Sequence, residues 1–380
     1  MESPFFIRYD CRFYVGEKPC RFKRLCEGCS EYRPMGSRIL VIKLGAIGDV
    51  LRTTPLLSAL KRAYPESHIT WVVDRGSREV LEDNPLIDRL LTLDLEAVLQ
   101  LSAEHFDVAI NLDKVPRATG LMMQVQATRR LGFGLTPYGT LCALNRESEY
   151  ALILGVSDEI KFRRNEKTYP EIVAEACGLP YRRDPYILVL RECHEAYART
   201  FLRERGLEGK RPLVGLNTGS GPVFATKRWE LDRFAALARR LCEAGAAVIL
   251  MGGVDEIERN REIERLAGVS LVHSGGRHSI REFAALIRHL DVLVTGDTLA
   301  LHLALALETP VVALFGATCP QEIDLYGRGE KIVGTVPCAP CYLSVCTEHD
   351  MACMKAIEVD TVFAAVTRLW KRHSHPTASS

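Results

Sequence analysis

The stretch Ile39–Pro55, ILVIKLGAIGDVLRTTP, decides how this chain is read. Four apolar, β-favouring residues, Ile39–Ile42, run into a glycine-bracketed turn, Gly45-Ala-Ile-Gly48. Asp49 follows at once, and Leu51, Leu56, Leu57 and Leu60 then mark one side of an amphipathic helix. This is the order strand, tight loop, helix start. In an open α/β sheet, ligands bind beyond the carboxyl ends of strands, where such a loop lies. Gly45 and Gly48 let the backbone come close to a ligand. Asp49 has two readings: a helix cap, a common task for aspartate, or a carboxylate at the mouth of a cleft.

Outward from this stretch, strands and helices alternate. Expected strands are Ile39–Ile42, Ile69–Val73, Arg89–Leu93 and Val108–Asn111, with helices at Leu56–Tyr64 and Leu95–Leu101. Residues 112–150 read as less regular, carrying loops beside a cleft. A second series follows, with strands at Leu213–Asn217, Ala247–Met251, Leu271–His273, Val292–Thr295 and Val311–Phe315. Its helices are Asp232–Ala244, Glu256–Ala267, Ile280–Leu290 and Thr298–Leu307. Such alternation implies parallel sheets with crossover helices. The 380 residues suit about two domains. The expected division is a cysteine-bearing leader at 1–36, a Rossmann-like unit at 37–185, a second at 186–372, and a disordered tail at 373–380.

Apolar residues make up 47% of the chain and charged residues 26%, the balance of a soluble globular protein. The net charge of +1 gives no electrostatic case for a nucleic-acid partner. No stretch has the length of a membrane span. The first residues show no signal-peptide pattern, so a cytoplasmic location is expected.

Three segments of the second series fall just after strands and should converge on one sheet edge. Asn217-Thr-Gly-Ser-Gly221, continuing to Thr226-Lys-Arg-Trp229, offers backbone N–H groups, hydroxyls and a lysine, a sensible phosphate cradle. Met251-Gly-Gly-Val-Asp-Glu256 ends a strand in two glycines and two acids; Asp255 or Glu256 suits ribose hydroxyls. Helix capping is the competing role for the pair. Val294-Thr-Gly-Asp-Thr-Leu-Ala-Leu-His302 opens an apolar helix whose free N–H groups can hold a diphosphate. Asp297 would not touch phosphate itself, because like charges repel, and more naturally caps the helix or contacts sugar hydroxyls. A lone His302 in such a helix is more often a hydrogen-bonded core residue than a catalyst.

The stretches ILVIKLGAIGDVLRTTPLL, LNTGS…TKRWE, MGGVDE and VTGDTLALHLALALETPVVALFG, in this order and spacing, resemble glycosyltransferase family 9, the ADP-heptose:lipopolysaccharide heptosyltransferases. The resemblance covers about residues 38–365. It implies a GT-B fold, two doubly wound Rossmann-like α/β domains facing a cleft, the first on the acceptor side and the second binding the nucleotide sugar. It implies an inverting transfer of a sugar, heptose from ADP-heptose, onto a lipopolysaccharide-core or related lipid-linked glycan, with no cofactor required for transfer. By the same resemblance, Asp49 is the general base and Lys227 neutralises the leaving diphosphate. Thr218, Gly219 and Ser220 lie beside the phosphates, and Asp255 or Glu256 at the ribose. Gly296, Asp297, Thr298 and His302 mark the donor diphosphate and sugar, and Gly45 and Gly48 the acceptor-side loop. The family often has glycine after the Asp-Thr/Ser pair; here Leu299 stands there and reshapes the donor-sugar pocket. A lipid-linked acceptor implies peripheral contact with the inner membrane; Arg21-Phe-Lys-Arg24 or Arg163-Arg164 would suit it, with solvated surface as the competing reading of such short basic runs.

Of the thirteen cysteines, eight form two groups. Cys11, Cys20, Cys26 and Cys29 are spaced C-x8-C-x5-C-x2-C; Cys338, Cys341, Cys346 and Cys353 are spaced C-x2-C-x4-C-x6-C. Four thiolates suit tetrahedral zinc or an iron–sulfur cluster. Neither spacing is a finger pattern, and free or redox-active thiols are the competing reading.

Other functions fit less of the pattern. A nicotinamide-dependent oxidoreductase would carry G-x-G-x-x-G after Ile39–Ile42, where this chain has G-x-x-G-D. A non-catalytic or redox-sensing nucleotide-binding protein would not need both Asp49 and Lys227. A GT-B transferase using another nucleotide sugar stays closest to the favoured reading.

Overall fold

The computed structural model describes residues 6–15, 18–221, 223–347 and 349–374. Its centre is two six-stranded sheets. The first contains β1 (Arg38–Ile42), β2 (His68–Val73), β3 (Arg89–Thr92), β4 (His105–Asn111), β5 (Gln126–Leu135) and β6 (Leu141–Ala143), in the order β3-β2-β1-β4-β5-β6. The second contains β7 (Leu213–Asn217), β8 (Ala247–Met251), β9 (Val272–His273), β10 (Val292–Gly296), β11 (Val311–Phe315) and β12 (Gly329–Val333), in the order β12-β11-β10-β7-β8-β9. Both orders are the same doubly wound path, and all pairings are parallel except β5 with β6. In each sheet the winding reverses between the first and fourth strands, which opens a crevice at their carboxyl ends.

The central strands form because they can be buried on both faces. Every residue of β2, β7, β10 and β11 is buried. Continuous apolar runs of this kind belong to parallel sheets covered by helices. In the first half the cover is α1 (Ile47–Thr53), α2 (Pro55–Ala63), α3 (Leu95–Ala103), α4 (Pro116–Gln124), α5 (Glu149–Ile153) and α6 (Tyr169–Ala176). Pro55 opens α2, where a missing N–H is harmless. After α7 (Glu192–Glu204), the second half carries α8 (Leu231–Glu243), α9 (Ile257–Ala267), α10 (Ile280–Arg288), α11 (Leu299–Ala306), α12 (Ala352–Lys355) and α13 (Val359–Ser374).

Two regions differ from the sequence expectation. Residues 112–150 contain α4 and the ten-residue strand β5. The first half of β5 is polar and largely open, and only Leu131–Gly134 are buried, so charge masks the strand. β12 carries no apolar run, because its glycine and charged residues suit a half-covered edge. The expected tail begins inside α13, with residues 375–380 outside the described set.

The leader has no helix or strand among its described residues. It rests on the amino ends of the first sheet: Arg12 donates to the Ser67 carbonyl at 3.4 Å and pairs with Asp88 at 3.5 Å. The two halves meet along their facing helices. Arg281 at the start of α10 reaches Glu82 at 2.6 Å and Asp83 at 2.7 Å, while Glu79 accepts the backbone N–H of Arg281 at 2.8 Å.

Candidate active site

A cleft of about 950 Å³ lies between the carboxyl ends of the two sheets. Ala46, Ile47, Gly48, Asp49 and Arg52 line it from the first half. Gly219, Ser220, Lys227, Glu256, Asp297, Thr298, Leu299 and His302 line it from the second. Both strand-order reversals thus open onto one space.

Asp49 stands in the first turn of α1, whose N-cap is Ala46 with no side-chain cap bond, so Asp49 is not the cap. Its side chain keeps 38% of its surface open and pairs with Arg52 at 2.9 Å. Burial pushes the carboxyl up, but Arg52, Lys43 and His302 outweigh this and hold it below the usual carboxylate value. Asp49 is therefore ionised at neutral pH.

Two supports of this carboxylate were not foreseen. Arg52 is one helical turn on and lies over the Tyr169 ring at 3.7 Å. Lys43, at the end of β1, donates to Asp113 at 2.5 Å and to the Gly45 carbonyl at 2.5 Å. Asp113 in turn accepts the Leu44 N–H at 2.5 Å, so one buried pair pins the loop that carries Gly45 and Gly48. Gly45 itself does not line the cleft. The Asp49–Arg52 spacing was visible as an i,i+3 pair; the Lys43–Asp113 pair spans two strands and left no local signal.

Across the cleft, Lys227 donates to the Asp297 carbonyl at 3.0 Å and to its carboxylate at 3.1 Å. Asp297 thus neither caps α11 nor stands free; Thr298 is the N-cap. Burial pushes Asp297 up, and Lys227, His302 and Arg52 outweigh it, so it too stays ionised. His302 is pushed down to about 4, by burial first and then by Arg52. It is neutral at pH 7, with its Nδ1 unpartnered among the described residues.

The residues that follow the second-sheet strands separate into lining and supporting positions. Gly219 and Ser220 line the cleft. Thr218 is buried behind them and donates to Asn260 at 2.5 Å. Asn217 donates to Thr295 at 3.0 Å and to Thr298 at 3.2 Å, tying β7 to the start of α11. Glu256 lines the cleft and accepts the Gly253 N–H at 2.8 Å. Asp255 is exposed and lies outside the lining, as does buried Gly296.

The tail thiols Cys338, Cys341, Cys346 and Cys353 line a separate cavity of about 200 Å³, which Thr226 also borders. Thr226 donates to the Leu343 carbonyl at 2.6 Å, and the adjoining Tyr342 lines the main cleft. Among the described residues, no three His, Cys, Asp or Glu side chains stand at metal-binding spacing.

Known proteins share this architecture. The profile of glycosyltransferase family 9 (heptosyltransferase) matches residues 97–352. Lipopolysaccharide heptosyltransferase 1 of Pseudomonas aeruginosa is 28% identical over 336 residues, covering 82% of this chain and 87% of that protein. The family 9 glycosyl transferase of Veillonella parvula superposes with a TM-score of 0.71 at 24% identity, over 88% of this chain and 97% of that one. Escherichia coli ADP-heptose lipopolysaccharide heptosyltransferase II does so with a TM-score of 0.67 at 21% identity, over 89% and 100%. The chain belongs to glycosyltransferase family 9, the heptosyltransferase family, and is a glycosyltransferase of GT-B fold.

Proposed function

We propose that this enzyme transfers heptose from ADP-heptose onto a lipopolysaccharide-core or related lipid-linked glycan, with inversion at the anomeric carbon. The observation that carries the reading is the facing of Asp49 with Lys227 and the start of α11 across one cleft. The named activities of the family 9 relatives agree with it.

In this reading Asp49 accepts the proton of the acceptor hydroxyl as that oxygen attacks the anomeric carbon. The bond from this carbon to the diphosphate oxygen breaks on the opposite face, and ADP leaves with the electron pair. General-base assistance of this kind contributes about 10²–10⁴-fold. Lys227 and the free N–H groups opening α11 meet the charge that develops on the diphosphate. Asp297 holds Lys227 through its carbonyl and carboxylate, Gly219 and Ser220 border the phosphates, and Glu256 takes the ribose hydroxyls. Thr218, Gly296 and Thr298 shape the donor loop from behind or beside it. Leu299 sets the room for the sugar.

The enzyme works in the cytoplasm and touches the inner membrane peripherally, where a lipid-linked acceptor lies. Among the described residues no helix is long and apolar enough to cross a membrane. The tail thiols would take a structural zinc ion or iron–sulfur cluster and brace Thr226, next to Lys227.

The test is donor turnover with ADP-heptose and a truncated lipopolysaccharide acceptor, wild type beside Asp49→Ala, with ADP binding measured for both. Turnover lost with ADP binding intact is the expected result. Unchanged turnover removes Asp49 as base. A wild type that turns over only another nucleotide sugar replaces heptose as the donor.

A further inference from the structure

The leader has no core of its own. Not one of its described residues from 6 to 36 is buried, and among them the β pairing is two isolated antiparallel bridges, Cys11 with Pro34 and Tyr14 with Cys20. Its aromatic rings meet edge to face without burial, Tyr9 against Tyr14 and Phe13 against Phe22. A segment this short gains too little from apolar burial to hold one path; such segments are cross-linked or metal-bound.

The leader's four cysteines border one small cavity. Cys11, Cys20, Cys26 and Cys29 line a single cavity of about 20 Å³, which is room for about one water-sized sphere. Local turns aim the chain there. The Cys20 carbonyl accepts the Lys23 N–H at 3.1 Å, and the Cys26 carbonyl accepts the Cys29 N–H at 3.2 Å. Gly28, at φ +66°, closes the second turn. Arg8, Arg24 and Glu31 also border the cavity, a balance of one positive charge toward the thiolates. None of the four is in a disulfide.

We propose that Cys11, Cys20, Cys26 and Cys29 bind one zinc-class ion as a tetrathiolate, and that this ion, not a hydrophobic core, holds the leader in place. Binding deprotonates the four thiols, releases the protons to solvent and forms four sulfur–metal bonds of about 2.3 Å. The sulfurs border the cavity without standing at that spacing. Drawing them in is the step that links ion binding to ordering of the segment. The site is structural, because Arg12 seats the leader on the amino ends of the first sheet, opposite the cleft.

The test uses the full chain. Metal-free protein is titrated with Zn²⁺ alone and with Co²⁺ as a spectroscopic probe. Cys26→Ser/Cys29→Ser is compared with Cys338→Ser/Cys341→Ser and with the wild type. We expect one equivalent of ion to be lost in the leader variant and kept in the tail variant, with the cobalt–thiolate absorption following it. Trypsin should then cut more readily at Arg21–Arg24 while ADP binding stays unchanged. If the leader variant does not fold, chelator-treated wild type gives the same readout. The proposal is overturned if the leader variant binds as much ion as the wild type, or if ion removal leaves trypsin cleavage unchanged. Leader thiols found paired as disulfides, or acid-labile sulfide bound with iron at the leader, would overturn it equally.

Discussion

A β-carbon added at Gly48 would lie 2.7 Å from Cδ2 of His302. The two residues belong to opposite halves of the molecule, one beside Asp49 and one on the helix that faces it. Gly48 is therefore needed for close approach, not for an unusual backbone angle. Gly48→Ala should push α1 and α11 apart. Overpacking of this kind costs about 1–3 kcal/mol, and the displaced Asp49 should lower kcat/KM more than it weakens ADP binding. Adding His302→Ala should restore part of the lost stability, read by a double-mutant cycle in urea unfolding.

Asp49 owes its low proton affinity chiefly to Arg52, which overrides burial. The acid limb of kcat/KM should lie below the ordinary carboxylate range in the wild type. In Arg52→Gln burial is less opposed, so the limb should move to higher pH. A limb that stays in place would mean that Asp49 is not the titrating base.

His302 also makes stability depend on pH. Its imidazole is pushed down to about 4 in the folded chain, against about 6.5 when unfolded. Between these values the unfolded chain binds more protons. Stability is thus fully present above about 6.5 and falls as pH drops toward 4, by at most about 3 kcal/mol. Urea unfolding at pH 5 and pH 7 should show this loss in the wild type and a smaller one in His302→Gln.

Glu256 and Asp255 are neighbours with different surroundings: one borders the cleft and the other faces solvent. Glu256→Gln should weaken ADP binding about tenfold, the scale of one charged hydrogen bond. Asp255→Asn should leave it unchanged. Calorimetric titration of both variants with ADP separates the two.

The doubly wound path was legible because its strands are buried from end to end, which leaves apolar runs such as Leu213–Asn217 in plain view. The glycine turns and the residues after them marked the sheet edge where Asp49, Lys227 and His302 converge. Three features required the folded chain. That Glu256 and not Asp255 lines the cleft depends on a short 3-10 turn that folds Glu256 back onto the Gly253 N–H. The Lys43–Asp113 pair joins β1 to the residues beyond β4, a contact with no periodicity. Tyr342 reaches the cleft from the cysteine-rich tail loop, far along the chain from Asp49.

The contacts across the seam also govern how such chains can be recombined. Gly48 fits His302, and Arg281 fits Glu82 and Asp83. A chimera that joins the first half of this enzyme to the second half of a relative inherits only one member of each set. To join halves from two parents without opening the seam, these matched positions must be exchanged together, as a single heritable unit.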